Sequence, residues 1–370
     1  MMKIPLISPV LDDDEIIEVS QAIRSGDIAG GKKLEQFENE LAEYLGLDYV
    51  VCVSTGSAAI EVALRALDIT NKEVITTTTS CIPTVNSVIS SGNKAVMVDI
   101  SRKDYNIDVG KIEEAITKDT GAILPVHLYG KPADIEKIVD IGKKHKIPVI
   151  EDCAQSMGAK FKGKMVGSFG EIGCFSLNVT KVITTGEGGF IATNNKEAAK
   201  KARIIRNYGM IPDDSFYNYI MYGYNFKYTS LLAAVGIAQL RKIDSIIKSR
   251  RENVKYLINL LTDIKEIQLP SESKEEYCVH YTLPILLRKG GIRDKLKSFL
   301  EKRGIAVRTL FRPMCIQPSY EKMFGKTAKD YPNAVYVGNN GFYLVCYPSL
   351  KKEQLDYMAQ SVREGILAIK

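Results

Sequence analysis

The chain has 370 residues, of which 45% are hydrophobic and 25% charged, and its formal net charge is +6. This composition excludes disordered and fibrous proteins, and the length predicts a large core and about two domains. Because the lysines are interspersed with acids, the small positive excess fits an anionic substrate and gives little support to nucleic acid binding.

The sequence lacks the features of membrane, disulfide-rich and metal-centred proteins. It has no run of about eighteen apolar residues for a membrane span, and residues 1–16 lack the apolar core of a signal peptide, so we expect a cytoplasmic location. The seven cysteines show no CxxC pair and lie mostly in apolar runs, which predicts reduced, buried thiols. The three histidines are widely separated, and we expect no metal site.

The first two thirds of the chain alternate β-rich runs with helical patterns. A first helix is predicted over residues 12–26 and is compatible with packing on either domain. Strands are predicted over residues 49–54, 73–78, 94–100, 121–128, 147–153, 173–177 and 188–194. Helices between the first five strands include residues 57–67, 110–117 and 133–145. This alternation predicts a mainly parallel sheet covered on both faces, with ligands at the carboxyl ends of its strands.

The last third of the chain has a different pattern. A long helix is predicted over residues 229–262, followed by a strand pair within 275–287 and a closing helix over 352–369. We place the domain boundary inside the long helix, which gives a large domain of residues 1–245 and a smaller C-terminal domain of residues 246–370.

One lysine stands in an unusual setting. The stretch 175–189, FSLNVTKVITTGEGG, places Lys181 between an apolar, hydroxyl-rich run and a glycine cluster. Such surroundings remove water from an ammonium group and make a neutral amine available as a nucleophile, as a Schiff-base lysine requires. The alternative is a surface lysine whose stem lies on apolar neighbours, and this stretch alone leaves that alternative open.

If Lys181 forms an imine with an aldehyde cofactor, pyridoxal phosphate is the main candidate. That cofactor needs a carboxylate at its ring nitrogen, a phosphate cradle and a partner for its phenolic oxygen. Asp152 ends an apolar strand and could pair with the ring nitrogen, or it could be only a polar strand end. Residues 54–59 run from a strand end into a helix and could cradle a phosphate, or they could form an ordinary serine N-cap. Ser176 could add a hydroxyl.

Longer stretches carry a family resemblance. Residues 147–190, IPVIEDCAQSMGAKFKGKMVGSFGEIGCFSLNVTKVITTGEGGF, resemble the central signature of the DegT/DnrJ/EryC1/StrS family of sugar aminotransferases, fold type I enzymes that use pyridoxal phosphate. Further similar blocks are VSTGSAAIEVALRAL, PVHLYGKPADI, IRNYGM and GYNFKYTSLLAAVGIAQL. The resemblance implies an α/β fold with a mainly parallel, seven-stranded type of sheet in the large domain and a smaller α+β C-terminal domain.

The resemblance also implies site residues. Lys181 matches the Schiff-base lysine, Asp152 the partner of the pyridine nitrogen, and Gln155 the neighbour of the phenolic oxygen. The positions that match the family's phosphate-binding residues are Gly56, Ser57, Ser176 and Asn225. In the family, the asparagine that matches Asn225 reaches the phosphate from the other subunit of a homodimer, so the resemblance implies a homodimer with shared active sites.

Three positions depart from the usual family pattern. Cys81 stands where many relatives have an aromatic residue stacking on the cofactor ring. Cys315 stands where a histidine is frequent near the sugar site, so substrate contacts there cannot be transferred. Val182 replaces an asparagine that commonly follows the lysine, with no consequence that the sequence predicts.

The function that the resemblance implies is transamination of a nucleotide-linked keto sugar, with L-glutamate as the expected amino donor. The opening residues 4–38 look more like members that act on 4-keto sugars than like those that act on 3-keto sugars. The alternatives are a 3-aminotransferase, a sugar 3-dehydratase of the same fold and a non-catalytic regulatory homologue. Dehydratases of this kind carry histidine at the lysine position, so Lys181 argues against that alternative.

Overall fold

The computed structural model describes residues 2–212 and 217–369 of the chain. Its α-helices are α1 Asp13–Ser25, α2 Lys32–Leu45, α3 Gly56–Ala66, α4 Ile82–Ser90, α5 Ile135–His145, α6 Lys196–Arg206, α7 Ser230–Leu261, α8 Arg293–Lys302, α9 Pro318–Phe324, α10 Pro332–Asn340 and α11 Lys352–Ile369. Its strands are β1 Tyr49–Val53, β2 Glu73–Thr77, β3 Lys94–Val98, β4 Thr120–Leu124, β5 Ile150–Asp152, β6 Lys160–Phe161, β7 Lys164–Met165, β8 Ile172–Ser176, β9 Gly189–Thr193, β10 Met210–Pro212, β11 Tyr217–Tyr219, β12 Ile267–Gln268, β13 Glu276–Tyr277, β14 Leu283–Leu287, β15 Arg308–Thr309 and β16 Gly341–Leu344.

Seven strands form the central layer in the order β1-β9-β8-β5-β4-β2-β3. The sheet is continuous across β5 and β4 because parallel bridges join Ile123 to Val149 and Val126 to Asp152. Only β9 runs antiparallel to its neighbours within this order. The mainly parallel, seven-stranded sheet expected from the sequence is therefore confirmed, and all seven predicted strands lie in it.

Both faces of this sheet are covered, as buried parallel strands require. In β1, Val51 and Val53 join the hydrophobic cluster of α3 and α6, while Val50 and Cys52 join the cluster of α2 and α7. This division follows from the two-residue period of side chains along a strand. Helices on the two faces thus fix β1, and the turn after it, from both sides.

The first residues of the chain pack against α7. Gln239 Nε2 donates hydrogen bonds to the Val10 carbonyl at 2.5 Å and to Glu15 at 2.8 Å, and Arg241 pairs with Glu18 at 2.7 Å. The sequence left open which domain the first helix packs on. In the structure, α1 packs on the amino-terminal half of α7.

The C-terminal part is an α+β arrangement, as expected. Strands β12, β14, β16 and β15 form an antiparallel sheet, and a separate hydrophobic cluster joins it to α8, α11 and the second half of α7. Leu310, Cys315 and Val337 instead join the cluster of α3 and β1. The domain boundary near residue 245 stays a prediction.

Two local predictions are wrong. Residues 110–117 form two short 3₁₀ turns, Val109–Lys111 and Glu113–Ala115. The N–H groups of Ile112, Ala115 and Ile116 bond to carbonyls three residues back, and the extended backbone of Ile116 ends the second turn. Residues 275–287 hold two strands that do not pair with each other. His280 between them has φ +50°, which turns the chain so that β13 pairs with β6 while β14 pairs with β16.

All seven cysteines are free thiols, and six are buried. Cys81 is the exception because it precedes α4 at the exposed edge of the sheet. Within residues 2–212 and 217–369, no helix combines the length and the apolar character needed to cross a membrane.

Candidate active site

The predicted site residues collect at one edge of the central sheet. β1 ends at Val53, β5 at Asp152 and β8 at Ser176, and the pairing of these strands with their neighbours brings their carboxyl ends together. Ligands of α/β sheets bind at this edge. The structure therefore places the turn before α3, Asp152 and Ser176 where the sequence expected them.

The turn after β1 has the features of a phosphate cradle. Thr55 is the N-cap of α3; its hydroxyl accepts from the Ala58 N–H at 3.0 Å, and its carbonyl accepts from Ala59. The N–H groups of Gly56 and Ser57 have no intrahelical acceptor, and the positive end of the helix dipole favours an anion there. The N-cap is thus Thr55, and neither Ser54 nor Ser57 has that role.

Gly56 allows Ser176 to lie against this turn. A Cβ at position 56 would lie 2.8 Å from Ser176 Cβ and 3.1 Å from its hydroxyl oxygen. Only glycine fits this close approach without displacing Ser176. The Ser176 hydroxyl and the free N–H groups of α3 therefore face one small space, which suits a phosphate group.

Asp152 is buried and its carboxylate is held at both oxygens. Thr84 Oγ1 donates to Oδ2 at 2.8 Å, and the Ala154 N–H donates to Oδ1 at 3.0 Å. Burial raises the pKa of the Asp152 carboxyl, although these two donors and the positive charge of Lys181 act in the opposite direction. A cationic partner such as a protonated ring nitrogen would stabilise the charged form of this carboxylate.

A second buried acid, Glu151, holds the strand that carries Asp152. Its carboxylate accepts from the N–H groups of Gly167, Phe169 and Gly170 at 2.8 Å each, and it pairs with His127 Nε2 at 3.0 Å. His127 Nδ1 accepts from the Ala133 N–H at 2.9 Å, so the imidazole proton lies on Nε2.

Cys153 lies beside this pair, and one ligand atom from each of His127, Glu151 and Cys153 falls within 4.8 Å of the others. Hydrogen bonds engage both imidazole nitrogens and both carboxylate oxygens, so hydrogen bonding accounts for the cluster. The backbone bonds from His127 N–H to the Asp152 carbonyl, and from Asp152 N–H to the Pro125 carbonyl, connect it to the functional carboxylate.

Lys181 lies in the turn that follows β8. Val182 and Ile183 beside it are buried, whereas Lys181 itself is only half-buried, so its setting is less apolar than the sequence suggested. Its Nζ lies 5.1 Å from the ring centroid of Tyr281, and the Tyr281 hydroxyl is 3.0 Å from Thr180 Oγ1. A cation over an aromatic ring is stabilised electrostatically, so Tyr281 orients the lysine from the C-terminal part of the chain.

The remaining candidate residues differ in position. Gln155 is buried, and its Oε1 accepts from the Tyr129 N–H at 2.9 Å, which leaves its NH₂ group as the donor for a ligand. Cys81 lies within electrostatic reach of both Lys181 and Asp152. Asn225 is exposed, and its neighbour Phe226 accepts from the Ser54 N–H at 3.0 Å.

These residues fit pyridoxal phosphate. Gly56, Ser57 and Ser176 would hold its phosphate, Asp152 its ring nitrogen and Lys181 its aldehyde carbon, each by the type of group that the cofactor needs. Sequence reasoning missed Thr84, His127, Glu151 and Tyr281. The sequence held one signal for these residues, the adjacent acids Glu151 and Asp152. Successive side chains of a strand point to opposite faces of the sheet, so Glu151 lies on the other face from Asp152 and needs its own buried hydrogen-bond donors.

The fold and this site define a pyridoxal-phosphate-dependent transferase of fold type I. The chain belongs to the DegT/DnrJ/EryC1/StrS aminotransferase family, whose model matches residues 9–363.

Several known proteins are similar to this chain in sequence or in structure. The GDP-perosamine synthase of Escherichia coli O157:H7 is 35% identical over 98% of this chain and 99% of its own length. A Campylobacter jejuni UDP-4-amino-4,6-dideoxy-N-acetyl-beta-L-altrosamine transaminase is 32% identical over 85% of each chain. The PMP form of Spr1654 from Streptococcus pneumoniae superimposes with a TM-score of 0.95 at 25% identity, covering 100% of this chain and 98% of that one. This chain is likewise a pyridoxal-phosphate-dependent aminotransferase.

Replacing Asp152 with asparagine should separate stability from catalysis. Burial raises the pKa of Asp152 in the folded protein. Below the unfolded pKa of about 4 the carboxyl is protonated in both states, so its burial does not change the free energy of unfolding. As pH rises above that value, the unfolded chain ionises more readily than the folded one, and the folded protein becomes less stable. We expect cofactor-free Asp152→Asn to unfold at a higher temperature than wild type at pH 7, and the gap to shrink as pH approaches 4. With cofactor, kcat should fall on the order of a hundredfold or more. An unchanged kcat would show that the carboxylate has another role.

Replacing Lys181 with alanine tests the covalent attachment of the cofactor. After borohydride reduction and denaturation, wild-type chain should keep the cofactor by mass, and Lys181→Ala should release it. Turnover should fall by at least about a thousandfold, because nucleophile and proton carrier are lost together. Lys227→Ala is the matched control, since Lys227 is an exposed lysine that contacts Tyr208. A fully active Lys181→Ala enzyme would contradict this assignment.

Proposed function

We propose that this enzyme transfers an amino group from L-glutamate to C4 of a keto sugar carried on a nucleoside diphosphate. The observation that carries the proposal is Lys181 in the turn beyond β8, in the same site as the buried Asp152. Two of the similar proteins support the sugar: one is named for GDP-perosamine, and the other for a UDP-linked 4-amino sugar.

In the reaction, bound pyridoxal phosphate supplies an electron sink for the carbon that bears the amino group. Lys181 Nζ takes the proton from that carbon of the donor, and in the second half-reaction it delivers a proton to the keto carbon of the sugar. Asp152 keeps its negative charge beside the ring nitrogen, while Thr84 and Ala154 hold the carboxylate in place. Gly56, Ser57 and Ser176 bind the phosphate and so fix the position of the reacting atoms relative to Lys181.

A screen of acceptors tests the proposal. Holoenzyme is mixed with ¹⁵N-glutamate and 4-keto or 3-keto sugars linked to GDP, UDP or dTDP, and the products are identified by mass and by the position of the ¹⁵N-bearing carbon in NMR. We expect a 4-amino sugar nucleotide and 2-oxoglutarate in equal amounts. Nitrogen at C3 would assign the enzyme to 3-amination, and a dehydrated product without ¹⁵N would reject aminotransfer to sugars. No product with any acceptor would place the substrate outside this class.

We further propose that the working unit is a homodimer in which Asn225 binds the cofactor phosphate of the partner's site. Residues just before Asn225 support a protein interface, because Tyr217, Tyr219 and Tyr222 are 73%, 64% and 71% exposed. Tyrosine is enriched at protein interfaces because it has an apolar ring and a polar hydroxyl. An amide donates to a phosphate oxygen without adding charge, so its contribution would be directional.

Complementation between Lys181→Ala and Asn225→Ala chains tests this sharing. In a heterodimer of Lys181→Ala and Asn225→Ala chains, shared sites would put both defects into one site and leave the other site intact. Mixing the two variants at limiting cofactor should therefore restore up to about half of the wild-type activity per heterodimer. Because Phe226 bonds to Ser54 of its own chain, Asn225 could instead serve its own site. In that case no intact site forms, and mass-confirmed heterodimers without rescue would reject the shared site.

A further inference from the structure

A cleft opens beside Lys181. Its cavity volume is about 60 Å³, and its walls are residues 6–10, the Lys181 turn, α7 and the strand ends near Tyr281 and Cys346. Asp152, Gly56 and Ser176 are not among the residues that line it. Lys181 therefore lines a space that the residues proposed to hold the cofactor do not line.

Arg250 of α7 lines this cleft and is 7% exposed. Its Nη1 donates to the Tyr281 carbonyl at 3.1 Å and lies 3.9 Å from Cys346 Sγ, but its Nε has no protein partner within the described residues. Across residues 2–212 and 217–369, no carboxylate lies within 4.0 Å of this guanidinium. Buried charges in proteins are normally paired, so Arg250 is a cation without its anion.

Thr282 lines the same cleft and is 6% exposed, and in the part of the chain described its hydroxyl also has no protein partner. Tyr281, the residue before it, accepts from Arg250 through its carbonyl and faces Lys181 Nζ with its ring. One short segment thus connects the lysine, the unpaired guanidinium and the unpaired hydroxyl. Two unsatisfied buried groups in one cleft each cost free energy unless a ligand binds them.

We propose that Arg250 and Thr282 bind a carboxylate of the amino donor while its amino group lies at Lys181. A guanidinium matches a carboxylate with two parallel donors, and a threonine hydroxyl adds a third. Val179, Val182 and Ile246 also line the cleft, and they suit the methylene chain of a dicarboxylic amino acid. This subsite rests on the proposed aminotransfer and adds the part of the protein that selects the donor.

A purely structural role for Arg250 explains less of the geometry. The bond to the Tyr281 carbonyl ties α7 to the segment before β14 and needs only one of the five guanidinium N–H groups. This structural role does not explain why Arg250 Nε and the Thr282 hydroxyl are buried without partners. It also does not explain why both residues line the cleft beside Lys181.

Calorimetric titration of holoenzyme with glutarate, a dicarboxylate without an amine or ketone, tests the subsite directly. Wild type should bind glutarate, and Arg250→Met should weaken binding by about tenfold or more, since a charge-assisted bond is lost from a dry site. Thr282→Val removes only the hydroxyl and should weaken binding about three- to tenfold. Its melting temperature without glutarate should not fall, because the hydroxyl has no partner to lose.

Matched controls separate this role from general damage. Arg251→Met removes the neighbouring arginine, which pairs with Glu272 outside this cleft, and Ser361→Ala removes another buried hydroxyl without a protein partner in the described chain. Both should leave glutarate affinity unchanged, and all variants should keep the visible absorbance of bound cofactor. If Arg250→Met does not fold, Thr282→Val decides the outcome.

Results that reject the Arg250–Thr282 subsite can be told apart from results that reject the proposed aminotransfer to a sugar. Unchanged glutarate affinity in Thr282→Val and in folded Arg250→Met would reject the subsite even if wild type aminates a keto sugar. The same titrations are run with pyrophosphate as a second probe. If Arg250→Met loses pyrophosphate binding but keeps glutarate binding, the cleft is assigned to a diphosphate and the subsite is also rejected. If glutarate binding depends on both residues but no keto sugar is aminated, the subsite stands and the sugar acceptor is wrong.

Discussion

The charge on Asp152 is the constraint on which the rest of the site depends. A carboxylate removed from water at the end of a buried strand is stable only if donors and a cation surround it. The protein supplies Thr84 from α4, a backbone N–H from the following turn and the positive charge of Lys181. Each of these comes from a different segment, so the position of one carboxylate fixes the relative placement of three parts of the chain.

The layer behind Asp152 is built in a similar way. Glu151 collects three backbone N–H groups from the turn at 167–170, and His127 joins it to the end of β4. These bonds hold the turn against the strand and leave no polar atom of either side chain unpaired. The two adjacent acids therefore have different roles. Glu151 stabilises the fold, and Asp152 remains available to a ligand.

Much of this arrangement could be predicted from the sequence, for identifiable reasons. The strands of the central sheet are apolar runs bounded by turn residues, so their positions along the chain could be predicted. Asp152 and Ser176 were predicted to lie at the carboxyl ends of strands, and the structure places them there. The helix predicted at 110–117 was wrong because the backbone there bonds three residues back and becomes extended at Ile116, which the spacing of apolar residues does not reveal. Thr84, Tyr281 and Arg250 could not be found in this way. Their roles depend on contacts between distant segments, and a lone threonine, tyrosine or arginine carries no local signal of such a contact.

The segment at residues 4–10 has a consequence for how the chain folds. Ile4 pairs with Ile305, Ser8 meets Ser349 across 341 residues of sequence, and Val10 meets Gln239 across 229. Contacts of such long range form late, because loop closure must precede any gain from them. The wall of the cleft beside Lys181 therefore depends on contacts that join the two ends of the chain, and we expect it to be among the last parts to assemble.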